Sequence, residues 1–390
     1  MKAIINGKII IKDSILENNA VLFDDKIKDI VNEEEFKSSI ASGKYGDIEV
    51  IDAKGNYVSP GFIDLHIHGS GGKDTMDGTV ESLMEISSVI ARNGVTSFLP
   101  TTMAMSRNKI YKALDAVNDV MKIENTGAKI LGAHLEGPFI NEKYKGAQKK
   151  DYIIKPNYDF IKKYKDTIKI ITFAPEKDDN FDFIKRVKRE TNIALSIGHS
   201  DAKYEEAINA IRYGVSRATH LFNAMSPLKH RELGVVGAAL NTDISCEIIA
   251  DTVHINPAMF NILLKLKGKD NIILITDCMR AGCFKDGISE LGGQKVIVTK
   301  NSARLEDGTL AGSVLTLNRA VKNIVENTNL SIPEAVTMAS LNPAKDISID
   351  KQKGSIEIGK DADMNIFDEK FEVKHTIVGG KTVFENKKSK

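Results

Sequence analysis

Six side chains in this sequence are of the types that grip metals or move protons, and each follows an apolar run. His66 and His68 close the stretch Pro60-Gly61-Phe62-Ile63-Asp64-Leu65-His66-Ile67-His68-Gly69. From Ile63 the stretch alternates apolar and polar residues, which is the period of a β-strand. Residues i and i+2 of a strand share a face, so the two imidazoles project side by side and can hold one transition-metal ion. Glu136 follows Ile130-Leu131-Gly132-Ala133-His134-Leu135, and His199 follows Ala194-Leu195-Ser196-Ile197-Gly198. His220 follows Arg217-Ala218-Thr219, and Asp277 follows Ile272-Ile273-Leu274-Ile275-Thr276. Taken singly, His199 or His220 reads as a hydrogen-bonded histidine, Glu136 as a partner for a lysine, and Asp277 as a helix cap. Their joint placement carries the inference: imidazoles and carboxylates meeting at one point make a metal site.

The elements around them explain why they meet. The middle of the chain predicts eight strands: Phe62–His68, Ser97–Pro100, Lys129–Leu135, Ile168–Phe173, Ile193–Ile197, Arg217–His220, Cys246–Ala250 and Ile272–Ile275. Between them lie amphipathic segments such as Val80–Asn93, Lys109–Ile123, Asp182–Glu190, Ala202–Tyr213 and Pro257–Lys265. Gly94 and Gly214 fall where helix C-caps belong, and Ser200 and Asp201 where an N-cap belongs. Eight β-then-α units in this length fit an α/β chain with a (β/α)8 TIM-like barrel. In such barrels the active site lies at the C-terminal mouth of the strands, where all six residues fall. His254 follows the seventh strand and faces the same mouth. His134 is expected to fill the barrel interior, and His230 to be exposed.

The chain ends have another character. Ala3–Ile11, Ala20–Phe23, Ile27–Val31 and Ile48–Asp52 read as strands, with a polar helix or loop around Glu33–Gly46. Ile356-Glu357-Ile358 and Met364–Phe367 alternate, and Gly379-Gly380 marks a hairpin turn. Residues 1–58 and 345–390 are therefore expected to form one small β-sandwich domain from both termini, with the barrel at 59–344. The segment 281–312 is too long for a plain loop and is expected to be a β-insertion or lid.

Composition excludes other classes. Lys and Arg number 54 against 53 Asp and Glu, so formal net charge is +1. Nothing in that balance points to nucleic acid or to an anionic membrane surface. No apolar run reaches transmembrane length, and the N-terminus has no signal-peptide core. Cys246, Cys278 and Cys283 make no disulfide framework, and a cytoplasmic home is expected.

These motifs resemble those of the amidohydrolase superfamily, and within it the N-acetylglucosamine-6-phosphate deacetylase family. The resemblance is carried by Pro60–Gly69, His134-Leu135-Glu136-Gly137-Pro138-Phe139, Gly198-His199-Ser200 and Thr219-His220-Leu221-Phe222-Asn223-Ala224-Met225. It continues through His230-Arg231-Glu232-Leu233-Gly234, Ala250–His254, Thr276-Asp277, Ala311-Gly312-Ser313 and Gly359-Lys360-Asp361-Ala362-Asp363. The resemblance implies that Glu136, His199 and His220 are metal ligands and that Asp277 is both a metal ligand and the catalytic acid/base. It implies that His66 and His68 belong to a two-metal branch, with Glu136 bridging. It places substrate contacts at Ala147, Asn223, Ala224, Arg231, His254, Leu310, Ala311 and Gly312. Some members carry a histidine where this chain has Gln148, and a second metal can take over the polarising part.

The chemistry so implied is hydrolysis of the acetamide of N-acetylglucosamine 6-phosphate to glucosamine 6-phosphate and acetate, a step of amino-sugar metabolism. One or two divalent ions per subunit, zinc, iron, manganese or cobalt, would lower the pKa of bound water to about 7. The metal and His254 would stabilise the developing oxyanion. Arg231 would anchor phosphate through paired donors, reaching a neighbouring subunit's site in a homodimer. Two other readings stand beside this one. The first is an amidohydrolase of different specificity, including one for the galactosamine epimer. The second is a barrel that has lost catalysis and serves as a scaffold.

Overall fold

The computed structural model describes residues 1–124 and 126–387. Its middle carries eight parallel strands: β1 (Phe62–Ile67), β2 (Val95–Pro100), β3 (Ala133–Glu136), β4 (Ile168–Phe173), β5 (Ala194–Ile197), β6 (Arg217–Ala218), β7 (Ser245–Ile249) and β8 (Ile272–Ile275). Strands β3 to β8 form one six-stranded parallel sheet in chain order, and β1, β2 and the short strand Lys129–Ile130 form another. Isolated parallel bridges, Thr101 with His134 and Ile67 with Cys278, link the two sheets at both seams. Every residue of β1, β2 and β8 is buried. Parallel strands covered on both faces are mostly apolar, as β8 is from end to end, which is why a polar residue at their ends stands out.

Helices on the outside follow from sequence spacing. Arg107–Val120 buries Ile110, Ala113, Leu114, Val117 and Val120, the i, i+3, i+4, i+7 stripe of a core-facing helix. Asp182–Glu190 buries Phe183, Ile184 and Val187 and exposes its charges. One expected cap is displaced. The fifth-unit helix starts at Tyr204, because Ser200 is engaged elsewhere: its hydroxyl donates to Glu176 Oε2 at 2.7 Å and accepts from the Ala202 N–H.

Both chain ends contribute strands to a shared sheet. Tyr57–Pro60 pairs antiparallel with Met364–Phe367, and the six-stranded sheet runs on to Lys8–Ile11 on one side and Val373–Val378 on the other. A separate four-stranded sheet holds Lys2–Ile5, Asn19–Phe23, Ile27–Asn32 and Glu49–Asp52. One apolar cluster, including Ile4, Ile9, Phe23, Val58, Met364 and Ile377, draws on both sheets. The hairpin turn at Gly379-Gly380 is observed, both residues having positive φ (53° and 74°).

Three strands differ from expectation. The run Lys129–Leu135 is split into Lys129–Ile130 and β3 at Leu131-Gly132, where a Cβ on Gly132 would lie 2.5 Å from the Thr167 carbonyl oxygen. The run Ala3–Ile11 is broken into two at Asn6-Gly7, where Asn6 has φ 54°. A Cβ on Gly7 would lie 2.5 Å from Val58 Cγ2, so the chain turns where only glycine fits. Ile356–Ile358 forms no strand; Ile358 is exposed and Gly359 turns the chain at φ 88°. The segment after β8 does carry β-structure: Gly287–Leu291, Gln294–Thr299 and Ser302–Leu305 make a three-stranded antiparallel sheet. No helix among the described residues is long and apolar enough to cross a membrane.

Candidate metal centre and active-site cavity

The six residues singled out by sequence come together at the ends of β1, β3, β5, β6 and β8. His220 Nε2 lies 3.0 Å from Glu136 Oε1, and His199 Nε2 lies 3.2 Å from the same oxygen. His66 Nε2 is 3.4 Å from Glu136 Oε1, and His68 Nε2 is 3.3 Å from Oε2. Asp277 Oδ1 stands 3.2 Å from His68 Nε2 and 3.5 Å from His66 Nε2. Glu136 is thus central, with imidazoles around both of its oxygens.

The backbone turns these side chains inward. His199, His220 and Asp277, each just past a strand, have φ of 50°, 30° and 48°. Non-glycine residues seldom adopt the left-handed region, and such strain gathers at functional sites. Surrounding bonds hold it in place: the Asp277 N–H donates to the His66 carbonyl at 2.8 Å, and its carbonyl accepts from the Ser313 N–H at 2.8 Å.

Each imidazole is fixed through its other nitrogen. Nδ1 of His68 faces the Thr101 carbonyl at 3.2 Å, that of His199 the Tyr144 carbonyl at 2.7 Å, and that of His220 the Asn223 carbonyl at 3.1 Å. A carbonyl only accepts, so these Nδ1 atoms carry the proton and Nε2 is left with its lone pair. The Nε2 atoms of His199 and His220 then confront each other at 3.2 Å. Two lone pairs so close require a positive charge between them, as a proton or a metal ion. His66 Nε2 is buried and has no hydrogen-bond partner among the described residues. Two ligand groups that share Glu136 meet the geometry of metal binding, His66-His68-Glu136 and Glu136-His199-His220, with donor atoms within 4.8 Å of one another.

The electrostatics agree. Burial raises the Glu136 carboxyl, but the His66 and His199 charges outweigh it and hold its pKa well below the usual range. Burial lowers His220, yet Glu136 more than offsets this and brings it to about 9. Burial likewise lowers His68, and Asp277 and Glu136 reverse the sign. Burial raises Asp277, while His66 and His68 pull it below its ordinary value. The carboxylates therefore draw positive charge to the points where the nitrogens converge.

Above this floor lies a cavity of about 320 Å³, lined by His68, Glu136, His199, His220 and Asp277. Of the expected contact residues, Ala147, Asn223, Ala224, His254, Leu310 and Gly312 also line it, as does Gln148. His66 sits beneath, fully buried. Ala311 is buried in an apolar cluster, its N–H on the Ala303 carbonyl. Arg231 lies elsewhere: it is exposed, donates to His230 Nε2 at 2.7 Å, and lines a neighbouring cavity of about 690 Å³ that shares Lys143 and Tyr144 with the first. His134 is enclosed in the interior between the Leu65 carbonyl (2.9 Å) and Thr172 Oγ1 (2.7 Å), and burial takes its pKa down to about 3.

Sequence reasoning passed over three groups. Asp251 holds His254 by a 2.7 Å contact to Nδ1, while its other oxygen accepts the Val253 and His254 N–H groups. Glu247 and Arg217 form a fully buried ion pair beneath the centre. Their signal was a lone charge inside an otherwise apolar strand, which costs too much to be accidental.

With this geometry in hand, likeness to known proteins becomes informative. Residues 57–383 match the amidohydrolase family. Over 338 residues the chain is 43% identical to the N-acetylglucosamine-6-phosphate deacetylase of Bacillus subtilis strain 168, covering 85% of each. Its fold is similar to that of the N-acetylglucosamine-6-phosphate deacetylase from Pasteurella multocida, with a TM-score of 0.92 and 32% identity over 99% of this chain and 100% of that one. The enzyme of the same name from Thermotoga maritima gives a TM-score of 0.87 at 34% identity, over 98% and 100%.

Proposed function

This chain belongs to the amidohydrolase family, and from that premise we propose that it is a metal-dependent deacetylase. It hydrolyses the acetamide of N-acetyl-D-glucosamine 6-phosphate to D-glucosamine 6-phosphate and acetate. The observation that carries this reading is the ring of four Nε2 atoms around Glu136, with Asp277 beside it on the floor of a sugar-sized cavity.

Glu136, His199 and His220 would hold one divalent ion, and His66 and His68 a second with Glu136 shared. Such an ion supplies an acidified water and polarises the amide carbonyl. Imidazole and carboxylate donors suit zinc, iron, manganese or cobalt. Asp277 takes the proton of the attacking water on its carboxylate. It returns that proton to the sugar nitrogen as the C–N bond breaks, so the amine leaves neutral. His254, held by Asp251 through Nδ1, turns its Nε2 lone pair to the cavity, where it accepts from a sugar hydroxyl. The backbone at Asn223-Ala224 and the Ala147 and Leu310–Gly312 segments hold the sugar. Arg231 grips the phosphate of a neighbouring subunit's substrate, which makes the working form a homodimer.

The rest of the architecture is read to match. The bridges at Thr101–His134 and Ile67–Cys278 support one (β/α)8 barrel over 59–344. The shared apolar cluster supports a small β-sandwich over 1–58 and 345–390. The three short strands within 281–312 are an insertion at the mouth, since Leu291, Thr309 and Leu310 line the cavity. The three cysteines are free, in keeping with a cytoplasmic enzyme.

The test is acetate release by metal-replete protein from N-acetylglucosamine 6-phosphate, its galacto epimer and the unphosphorylated sugar. Turnover fastest on the gluco phosphate is expected. Equal turnover of the unphosphorylated sugar would remove the phosphate from the reading.

A further inference from the structure

The four histidines of the centre share one arrangement and differ in one partner. Three give Nδ1 to a neutral carbonyl. His66 alone faces a carboxylate, Glu247 Oε2, at 3.1 Å. Both side chains are fully buried. The same Oε2 accepts the His220 backbone N–H at 3.2 Å. The other oxygen, Oε1, accepts from Arg217 Nη2, and Arg217 Nη1 donates to Asp346 at the end of the helix Leu341–Asp346. Arg217 never gives up its proton. Every neighbour of the Glu247 carboxylate is therefore a donor, and no room is left for a carboxyl proton. His66 must donate from Nδ1, which leaves Nε2 bare, and that Nε2 has no hydrogen-bond partner among the described residues.

We propose that Glu247 is a positioning residue for the second metal subsite: it locks His66 with Nε2 facing Glu136 and Asp277, and Arg217 and Asp346 hold it in place. This rests on the two-ion reading given above. A competing use of the same atoms is a third cation site between His66, His134 and Glu247. His134 has both nitrogens committed, and the Arg217 guanidinium already occupies Glu247, so a cation there would meet a fixed positive charge. A carboxylate on the remote nitrogen raises the basicity of an imidazole ligand and fixes its ring, and losing such a partner typically costs about 10–100-fold in metal affinity.

Glu247→Gln tests the assignment. A glutamine has one acceptor where the carboxylate has two. Its oxygen goes to the charged Arg217, and its NH2 then faces His66 and forces the proton onto Nε2. Wild type, Glu247→Gln and His66→Asn are stripped with chelator, checked for fold by circular dichroism, and titrated with Zn²⁺ alone in equilibrium dialysis. The expected result is two ions for wild type, and in both variants about 10–100-fold weaker binding of one ion with the other retained. If His66→Asn loses that ion and Glu247→Gln binds it as wild type does, the positioning role is overturned and the two-ion reading stands. If His66→Asn leaves Zn²⁺ binding unchanged, the two-ion reading fails and takes the proposal with it. Should Glu247→Gln not fold, Zn²⁺-loaded wild type with ¹⁵N-labelled histidine answers the same question by NMR. A proton on Nδ1 of His66 supports the proposal, and a proton on Nε2 overturns it.

Discussion

Gln148 spans the gap between the Ala104 backbone and the Glu136 carboxylate. Its Oε1 accepts from the Ala104 N–H at 2.6 Å, and its Nε2 donates to Glu136 Oε2 at 3.1 Å. The Ala104 N–H only donates, so the amide cannot reverse without setting donor against donor. Gln148 therefore presents N–H to the metal centre at a position where the resemblance leads one to look for imidazole. Gln148→Leu removes the Glu136 donor and strands a buried N–H. Because an oriented outer partner of a metal-binding carboxylate is lost, metal affinity or activity should fall by about 10–100-fold. Competition with a chelator, read beside acetate release, checks it; unchanged values would mean that Glu136 is held well enough without Gln148.

Asp277 differs from the other carboxylate of the centre. Glu136 touches all four imidazoles, whereas Asp277 approaches only His66 and His68. Asp277→Asn keeps the shape and removes the group that accepts a proton. The Glu136-His199-His220 set is left whole. The variant should retain an ion at that set and lose roughly 10²–10⁴-fold in kcat. Metal analysis and acetate release on one preparation separate the two effects, and wild-type turnover would end the acid/base assignment.

The positions of the chemistry were legible because parallel strands buried on both faces are mostly apolar. A histidine or carboxylate at such a strand's end has no structural excuse, and His199, His220 and Asp277 were found that way. The left-handed kinks at those same residues were not legible, since nothing in a histidine or aspartate announces a positive φ that its surroundings impose. Glu247 and Arg217 were missed for the opposite reason: a charge inside a strand reads as an interruption until its partner, distant in sequence, is seen beside it. Alternation misled where one buried residue sat in a segment with no strand to pair with, as at Ile356–Ile358, and where a glycine bent the chain, as at Gly7.

Arg231 lines a cavity next to the catalytic one rather than the catalytic one itself. If it serves a neighbouring subunit, defects in Arg231 and in Asp277 should complement each other. In a heterodimer of Arg231→Met with Asp277→Asn, one site combines two defects and the other has none. Random reassortment of equal amounts makes half the dimers mixed, each with one working site, so activity should recover to about a quarter of wild type. Mixing after partial denaturation and refolding, with each variant alone as control, gives the measurement. No recovery above the two controls would place Arg231 in its own chain's site or outside catalysis.

Lys353 joins the terminal strands to the start of β1. It is 4% exposed, its Nζ lies 2.8 Å from Asp361 Oδ2, and it also binds Asp363 Oδ2. Asp363 in turn accepts the Gly61 N–H on its carbonyl and the Gly379 N–H on its side chain. Burial lowers the Lys353 pKa, but the Asp363 and Asp361 carboxylates outweigh it and raise it above 10.5. Burial raises Asp361, while Lys26 and Lys353 take it below 3.8. A raised lysine stabilises fully below its unfolded pKa and loses that contribution as pH climbs through the folded value. A lowered aspartate stabilises above its unfolded pKa and loses that contribution as pH falls through the folded one. Lys353→Met leaves the buried Asp363 without its lysine and the half-buried Asp361 with Lys26 alone, and should cost ~3–5 kcal/mol near neutrality. The gap in melting temperature between wild type and variant should stay flat from about pH 5 to about pH 10 and narrow on either side. A gap that grew above pH 11 would have the wrong sign for a lysine held charged by these carboxylates, and would show that the joint is secured by packing alone.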